Sequence, residues 1–187
     1  KVVDVGCSYG VNAALLKHDM SMDDLIQLYC NDAPDSRDVM LRRDRALFSE
    51  AADDDLSVVG LDIAQKAVAY AVDVGILDAG VATDLERNEL SQSDRAAVDE
   101  PDMIISTGCV GYVTRTSLEP LVEAGQDNGV WMANFVLRMF DYDPVEEMMA
   151  SRGYVTEKLE GAYFPQRRFV SSNEYENVME NLHQRGL

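Results

Sequence analysis

Three short segments constrain this chain more than anything else in it. Val2-Val3-Asp4-Val5-Gly6-Cys7-Ser8-Tyr9-Gly10, Val58-Val59-Gly60-Leu61-Asp62-Ile63 and Gly80-Val81-Ala82-Thr83-Asp84-Leu85 are β-branched, apolar runs that close on a small or acidic residue. Such runs, bounded by turn formers, read as buried strands. Apolar residues at helical spacing alternate with them, the signature of a parallel sheet covered by helices on both faces. Strands are expected at residues 1–5, 57–61, 79–83, 102–107 and 130–137, and a closing antiparallel hairpin near 154–160 and 166–171. One helix is expected from Gly10, with Val11, Ala14, Leu15 and His18 on one face, His18 being a surface or helix-end residue rather than a catalyst. A second carries Ala64, Ala67, Val68, Ala71 and Val72 and is closed by Gly75. Asp143-Pro144 starts a helix over 144–151, and a last one spans 173–185 with Tyr175, Val178, Met179 and Leu182 inward.

The strand ends carry the chemistry. Gly6 and Gly10 flank a turn where a missing Cβ lets backbone approach a ligand. The following helix offers unpaired N–H groups at its start. Asp4 can accept hydrogen bonds from an ammonium group, directly or through water. Asp62 can accept both hydroxyls of a ribose, and Asp84 an exocyclic amine. Ile63 and Leu85 would then supply apolar faces for an adenine ring. Open parallel sheets bind ligands at the carboxyl ends of their strands, where all of these fall. Each residue also has a plainer reading: the glycines as a tight turn, Asp62 as a cap for the helix at Ala64, Asp84 as the start of a solvated loop. Cys7 and Cys109 read as small buried hydrophobes.

In this order, the three segments resemble the cofactor half of class I S-adenosylmethionine-dependent methyltransferases. The family's acidic residue followed by G-x-G-x-G is matched at Asp4, Gly6 and Gly10 and departs at Ser8, a small residue that keeps the loop tight. The resemblance covers residues 1–112 by motif and 113–187 by topology. It implies a single Rossmann-like domain over residues 1–187, α/β in class. The sheet would be seven-stranded and mostly parallel, ordered 3-2-1-4-5-7-6 with an antiparallel last strand. It also implies S-adenosylmethionine as cofactor, held by Asp4, Gly6, Cys7, Ser8, Gly10, Asp62, Ile63, Asp84, Leu85, Ser106 and Thr107. The family usually carries helices before its first strand, and those are expected to be absent here because strand one opens at Lys1. A dinucleotide fold is disfavoured, since G-x-G-x-x-G is not met, and no G-K-[ST] supports a P-loop.

The acceptor is expected near the loop Ser106-Thr107-Gly108-Cys109-Val110-Gly111-Tyr112, toward which the methyl group points in this family. That loop lacks the Asn/Asp-Pro-Pro-aromatic signature of amide and adenine N-methyltransferases. No metal is expected, although Asp102 and Asp141–Asp143 leave a metal-dependent variant open. Tyr112, Tyr163 and His183 are candidate bases or positioning groups, and no catalytic residue is assigned. Arg167 and Arg168 can recognise an acceptor carboxylate or simply offset the acidic surface.

Charge narrows the partners. Sixteen Lys and Arg face 34 Asp and Glu, a net −18. Such a field repels phosphate backbones, so the acceptor is expected to be a small molecule and not a nucleic acid. An Asp-rich surface with lysines only at 1, 17, 66 and 158 fits a saline cytoplasm or an ordinary acidic enzyme. Cysteines at 7, 30 and 109 suggest a reducing compartment without a disulfide framework, and no apolar run or signal peptide points to a membrane. Cytoplasm is the default. The chain departs from a plain alternation at residues 19–56, where a helix start at Ser21-Met22-Asp23-Asp24, a turn at Asn31–Asp35 and a second helix over 38–50 are too apolar for a linker. This insertion can cover the sheet, build a homodimer contact or help close the site, with packing or a partner surface favoured. Two rivals remain: a non-catalytic nucleotide-binding assembly partner and, more remotely, a nicotinamide-dependent oxidoreductase.

Overall fold

The computed structural model describes residues 1–32, 34, 36–50, 53, 55–165 and 168–187. Its centre is a five-stranded, all-parallel sheet in the order β3-β2-β1-β4-β5. The strands are β1 (Val2–Val5), β2 (Val58–Leu61), β3 (Ala79–Val81), β4 (Met103–Thr107) and β5 (Trp131–Phe135). Register is continuous across them: Val5 lies opposite both Leu61 and Ser106, Leu61 opposite Val81, and Thr107 opposite Phe135. All five carboxyl ends therefore open on one edge. β1 sits where the chain changes direction, with β2 and β3 on one side and β4 and β5 on the other, which is where ligands of such sheets bind.

Alternation within the strands builds two cores. Val3, Val5, Val59, Leu61 and Ile104 point to one face, packed by Val98 of α5 (Gln92–Val98), Leu118, Leu121 and Val122 of α6 (Arg115–Gly125), and Val145, Met148 and Met149 of α7 (Asp143–Ser151). Val2, Val58 and Ile105 point to the other. There they meet α1 (Val11–Lys17), α2 (Met22–Ile26), α3 (Arg37–Glu50) and α4 (Gln65–Asp73) through Ala13, Ala14, Leu25, Leu41, Phe48, Val68 and Ala71. Strands buried on both faces explain why the sequence shows unbroken apolar runs rather than alternation.

The insertion is helical. Ser21 and Asp24 form a reciprocal capping box at the start of α2, which runs on into a π-helical turn at Gln27–Asn31 before α3. Ala33, Asp35, Ala51, Ala52 and Asp54, within the expected turn and the end of the insertion, lie outside the described residues. Among the described residues no helix is long and apolar enough to cross a membrane.

Four expectations need correction. The seven-stranded sheet is not formed: residues 154–160 are coil, and so are the described residues of 166–171, Gln166 and Arg167 lying outside them. In 154–160 the apolar Tyr154, Val155 and Leu159 do not share one parity, and Glu157 interrupts the face of Val155 and Leu159, so no strand face can be buried. Near 170 the backbone is committed to a helix start instead. Val170 N–H donates to Glu174 Oε2 at 2.7 Å, and Ser171 caps α8 (Ser172–Gln184). Second, α8 buries none of its residues, and Tyr175 and Met179 stand exposed. Third, α1 keeps the expected Ala14 and His18 inward, His18 as its C-cap, but Ala13 and Lys17 are buried where Val11 is exposed and Leu15 half-buried, and His18 is no surface residue. Fourth, Val72 is exposed on α4, where Tyr70 is buried instead.

Candidate functional site

The loop Gly6–Gly10 joins β1 to α1 with left-handed backbone at Gly6 (φ 77°), Ser8 (φ 49°) and Gly10 (φ 81°). Both glycines are required by the chain itself. A Cβ on Gly6 would stand 2.7 Å from Cys109 Cβ and Sγ, and one on Gly10 would stand 2.6 Å from Ile76 Cγ2. The missing side chains thus admit the loop after β4 and the end of α4, rather than leaving empty room for a ligand. Ser8, a non-glycine residue in left-handed conformation, is held by its N–H, which donates to Asp62 Oδ2 at 2.9 Å.

Asp62 ends β2 and uses both oxygens. Oδ1 accepts from Ala64 N–H at 2.8 Å in the turn before α4, whose N-cap is Ala64 without a side-chain cap bond, so Asp62 is not the expected helix cap, and Oδ2 ties down the glycine loop. A carboxylate has about four acceptor positions, so this half-buried group keeps two. Ile63 beside it is 71% exposed and free to cover a ring.

Asp4 is the most unusual group of the edge. It is fully buried beside Gly60 and Ile105, and its Oδ1 accepts from Asn12 Nδ2 at 2.9 Å. Oδ2 has no partner among the described residues. Burial pushes its carboxyl from 3.8 up to about 6; the Asn12 bond opposes this and the nearby Asp62 charge adds to it. Asn12, in the first turn of α1, also accepts from Thr107 Oγ1 at 3.3 Å through its own Oδ1. It therefore bridges the ends of β1 and β4. The sequence reading missed it, and the signal that could have found it is a polar residue in the helix turn that faces Asp4.

The remaining expected residues divide. Cys7 is buried, as expected of a small hydrophobe, and Cys109 is half-buried with its thiol donating to Val5 C=O at 3.1 Å. Ser106 is fully buried with Oγ 3.0 Å from Cys109 Sγ, whereas Thr107 is exposed at the edge. Gly108 (φ 73°) donates to Phe135 C=O at 2.7 Å, turning the chain off the sheet.

One strand further out, Asp62 N–H donates to Val81 C=O at 3.1 Å, so the end of β3 lies beside the end of β2. Asp84 spends Oδ1 on Glu86 N–H at 3.1 Å, within its own turn. Leu85 is buried in the core and borders a cavity of about 290 Å³ lined with Arg87, Leu90, Arg95, Thr116 and Pro120. Glu86 pins the whole turn to the start of α6, accepting from Thr114 N–H and Oγ1, both at 2.8 Å, and Ser117 Oγ at 2.6 Å. Burial opposes its ionisation, but these bonds outweigh it and hold the carboxyl below its usual value.

The acceptor-side candidates are scattered. Tyr112 follows β4, exposed and edge-on to Phe140 at 4.7 Å. Tyr163 lies in the coil under the Arg138 guanidinium, and His183 is exposed on α8. Arg168 lies in exposed coil, and Arg167 is outside the described residues. Asp102 falls at the amino edge of the sheet, its N–H on Lys1 C=O at 2.9 Å, opposite the glycine loop. Asn134, in β5, donates from Nδ2 to Tyr142 OH at 2.8 Å and keeps Oδ1 buried without a partner among the described residues. No protein-family model, curated protein or solved structure matches the chain.

Proposed function

We propose that the chain binds S-adenosylmethionine across the carboxyl ends of β1, β2 and β3 and transfers its methyl group to a small-molecule acceptor. The observation that carries this reading is Asp4: a buried carboxylate at the switch point of the sheet, with one oxygen unpartnered among the described residues. An uncompensated buried charge is costly, and a ligand ammonium is the partner that would relieve it. The residues present fit the rest of the cofactor. Asp62 keeps acceptor capacity for ribose hydroxyls, Ile63 offers an exposed apolar face, and the Ser8–Asp62 bond holds the loop in one shape.

The cofactor supplies a sulfonium-activated methyl group. The chain's task is to bind it, exclude wrong orientations and hold an acceptor in line, which is the larger part of catalysis for such transfers. Thr107 and Gly108, at the end of β4 beside Asn12, are the residues nearest that task. Isothermal titration with S-adenosylmethionine, S-adenosylhomocysteine and NAD tests the reading. Binding of the first two, lost in Asp4→Asn, supports it; binding of NAD alone, or of none, refutes it. Binding with no turnover on any acceptor in a library of amines, alcohols and thiols would leave a nucleotide-binding partner in place of an enzyme.

A further inference from the structure

We propose that the α2–α3 insertion is a buttress for the glycine loop, acting through Asp44, Tyr70 and Tyr9, and that Tyr70 is a positioning residue for the bound nucleotide. Asp44, in the middle of α3, is fully buried. Its Oδ1 accepts from Arg43 Nε at 2.7 Å, and its Oδ2 accepts from the hydroxyl of Tyr70 on α4. Tyr29, in the π-helical turn, places its hydroxyl 3.2 Å from that of Tyr70. Arg43 closes the cluster, stacked over the Tyr29 ring at 5.3 Å and donating from Nη1 to the carbonyls of Leu28 at 2.9 Å and Asp32 at 3.2 Å. Burial, together with the adjacent Asp44 carboxylate, raises the Tyr70 phenol well above its usual value, so it stays a donor.

A segment whose only task was to cover the sheet would need apolar residues there. Burying a carboxylate gains no stability over a hydrophobic replacement, but it fixes geometry, because both Asp44 oxygens and the Tyr70 hydroxyl find their partners in this arrangement. What it fixes is the ring of Tyr70, and that ring meets Tyr9 edge-on, centroids 5.7 Å apart at 75°. Tyr9 lies between Ser8 and Gly10, both left-handed, at the tip of the loop. Among the contacts that reach this tip from outside the loop are the Ser8–Asp62 bond and the Tyr9–Tyr70 pair. The first comes from the sheet, the second from the insertion through α4.

The loop arm of this proposal is independent of any ligand, and the positioning arm rests on the nucleotide reading above. Amide hydrogen exchange of the free protein tests the first, comparing Tyr70→Phe with the parent. Exchange across Ser8–Gly10 should accelerate about three- to tenfold, the range of an aromatic-pair coupling, with β1 and β2 unchanged. Unchanged loop exchange, or an equal acceleration across the sheet, overturns the buttress. Should Tyr70→Phe fail to fold, Tyr9→Leu decides instead, since Tyr9 is 56% exposed and should loosen the loop without lowering the melting temperature. The second arm is a double-mutant cycle of Tyr70→Phe and Tyr9→Leu on S-adenosylhomocysteine affinity. Each single variant should weaken binding about three- to tenfold and the pair little more than either alone. Fully additive losses, or none, overturn the positioning role. A parent protein that binds no nucleotide refutes the function proposed above and leaves the exchange result standing.

Discussion

Replacing Asp4 by Asn tests the centre of the site without any ligand. The carboxyl titrates at about 6 in the folded protein and at 3.8 ordinarily, because burial disfavours its charged form. The folded state therefore holds a proton between those values that the unfolded chain has released. Stability must then fall as pH rises through this window, and stay level above it. At about 1.4 kcal/mol per pH unit the loss amounts to about 3 kcal/mol. Asn keeps the acceptor for Asn12 and cannot ionise, so the loss should vanish in Asp4→Asn. Its amide leaves a buried donor unpaired at a cost of about 1–3 kcal/mol, which is independent of pH. The assay is urea unfolding of both proteins from pH 4 to 7.5, scored as their difference so that the other carboxylates cancel. The variant should gain about 3 kcal/mol on the parent across that range. A difference constant within about 0.5 kcal/mol would refute the reasoning and mean that Asp4 reaches solvent or a cation.

Nucleotide affinity should follow the same proton: S-adenosylhomocysteine titrated at pH 5 should bind about tenfold more weakly than at pH 7, since an ammonium needs the ionised Asp4. Asp62→Ala should weaken that affinity about tenfold to a hundredfold, and should also lower stability by about 1–2 kcal/mol because Ser8 and Ala64 N–H lose their acceptor. Gly6→Ala should cost about 2–3 kcal/mol in chemical unfolding, from its φ of 77° and the clash with Cys109. With a net charge of −18, the melting temperature should rise clearly from dilute buffer to molar salt, and a flat response would mean that self-repulsion is not limiting.

The inner sheet was legible because both of its faces are buried. Val2–Val5, Val58–Leu61 and Met103–Thr107 need apolar residues on each side, and such runs stand out from their neighbours. The outer elements were less legible for separate reasons. α5 is only seven residues long and is announced chiefly by the Ser91 cap accepting from Asp94 N–H. α6 carries Pro120 in its interior, which masks its helical pattern. The phase of α1 could not be read from apolar spacing, because its buried face includes Lys17 and His18. Lys17 Nζ pairs with Asp78, and the His18 ring packs edge-on against Phe48 at 4.9 Å. Such pairings depend on partners 30 and 61 positions away in sequence. The expected hairpin failed for the opposite reason: a few apolar residues in 154–171 were enough to suggest strands, without the single-parity face that would bury them.

At the site, residue types were readable and their obligations were not. Asp62 was weighed as ribose ligand or helix cap; the structure gives it the turn before α4, through Ala64 N–H, and a bond to Ser8 while leaving two acceptor positions. These roles support each other, because a carboxylate fixed by two backbone N–H groups is already oriented for a third partner. Gly6 and Gly10 read as room for a ligand and turn out to be room for Cys109 and Ile76. In the proposed function, that moves the weight of ligand recognition from the loop's backbone to the carboxylates around it. Asn12 draws the same distinction: no motif names it, yet its amide joins Asp4 to Thr107 across β1 and β4. A substitution there would disturb the Asp4 side and the β4 side of the site together, whereas one at Asp62 would act on the glycine loop and the start of α4.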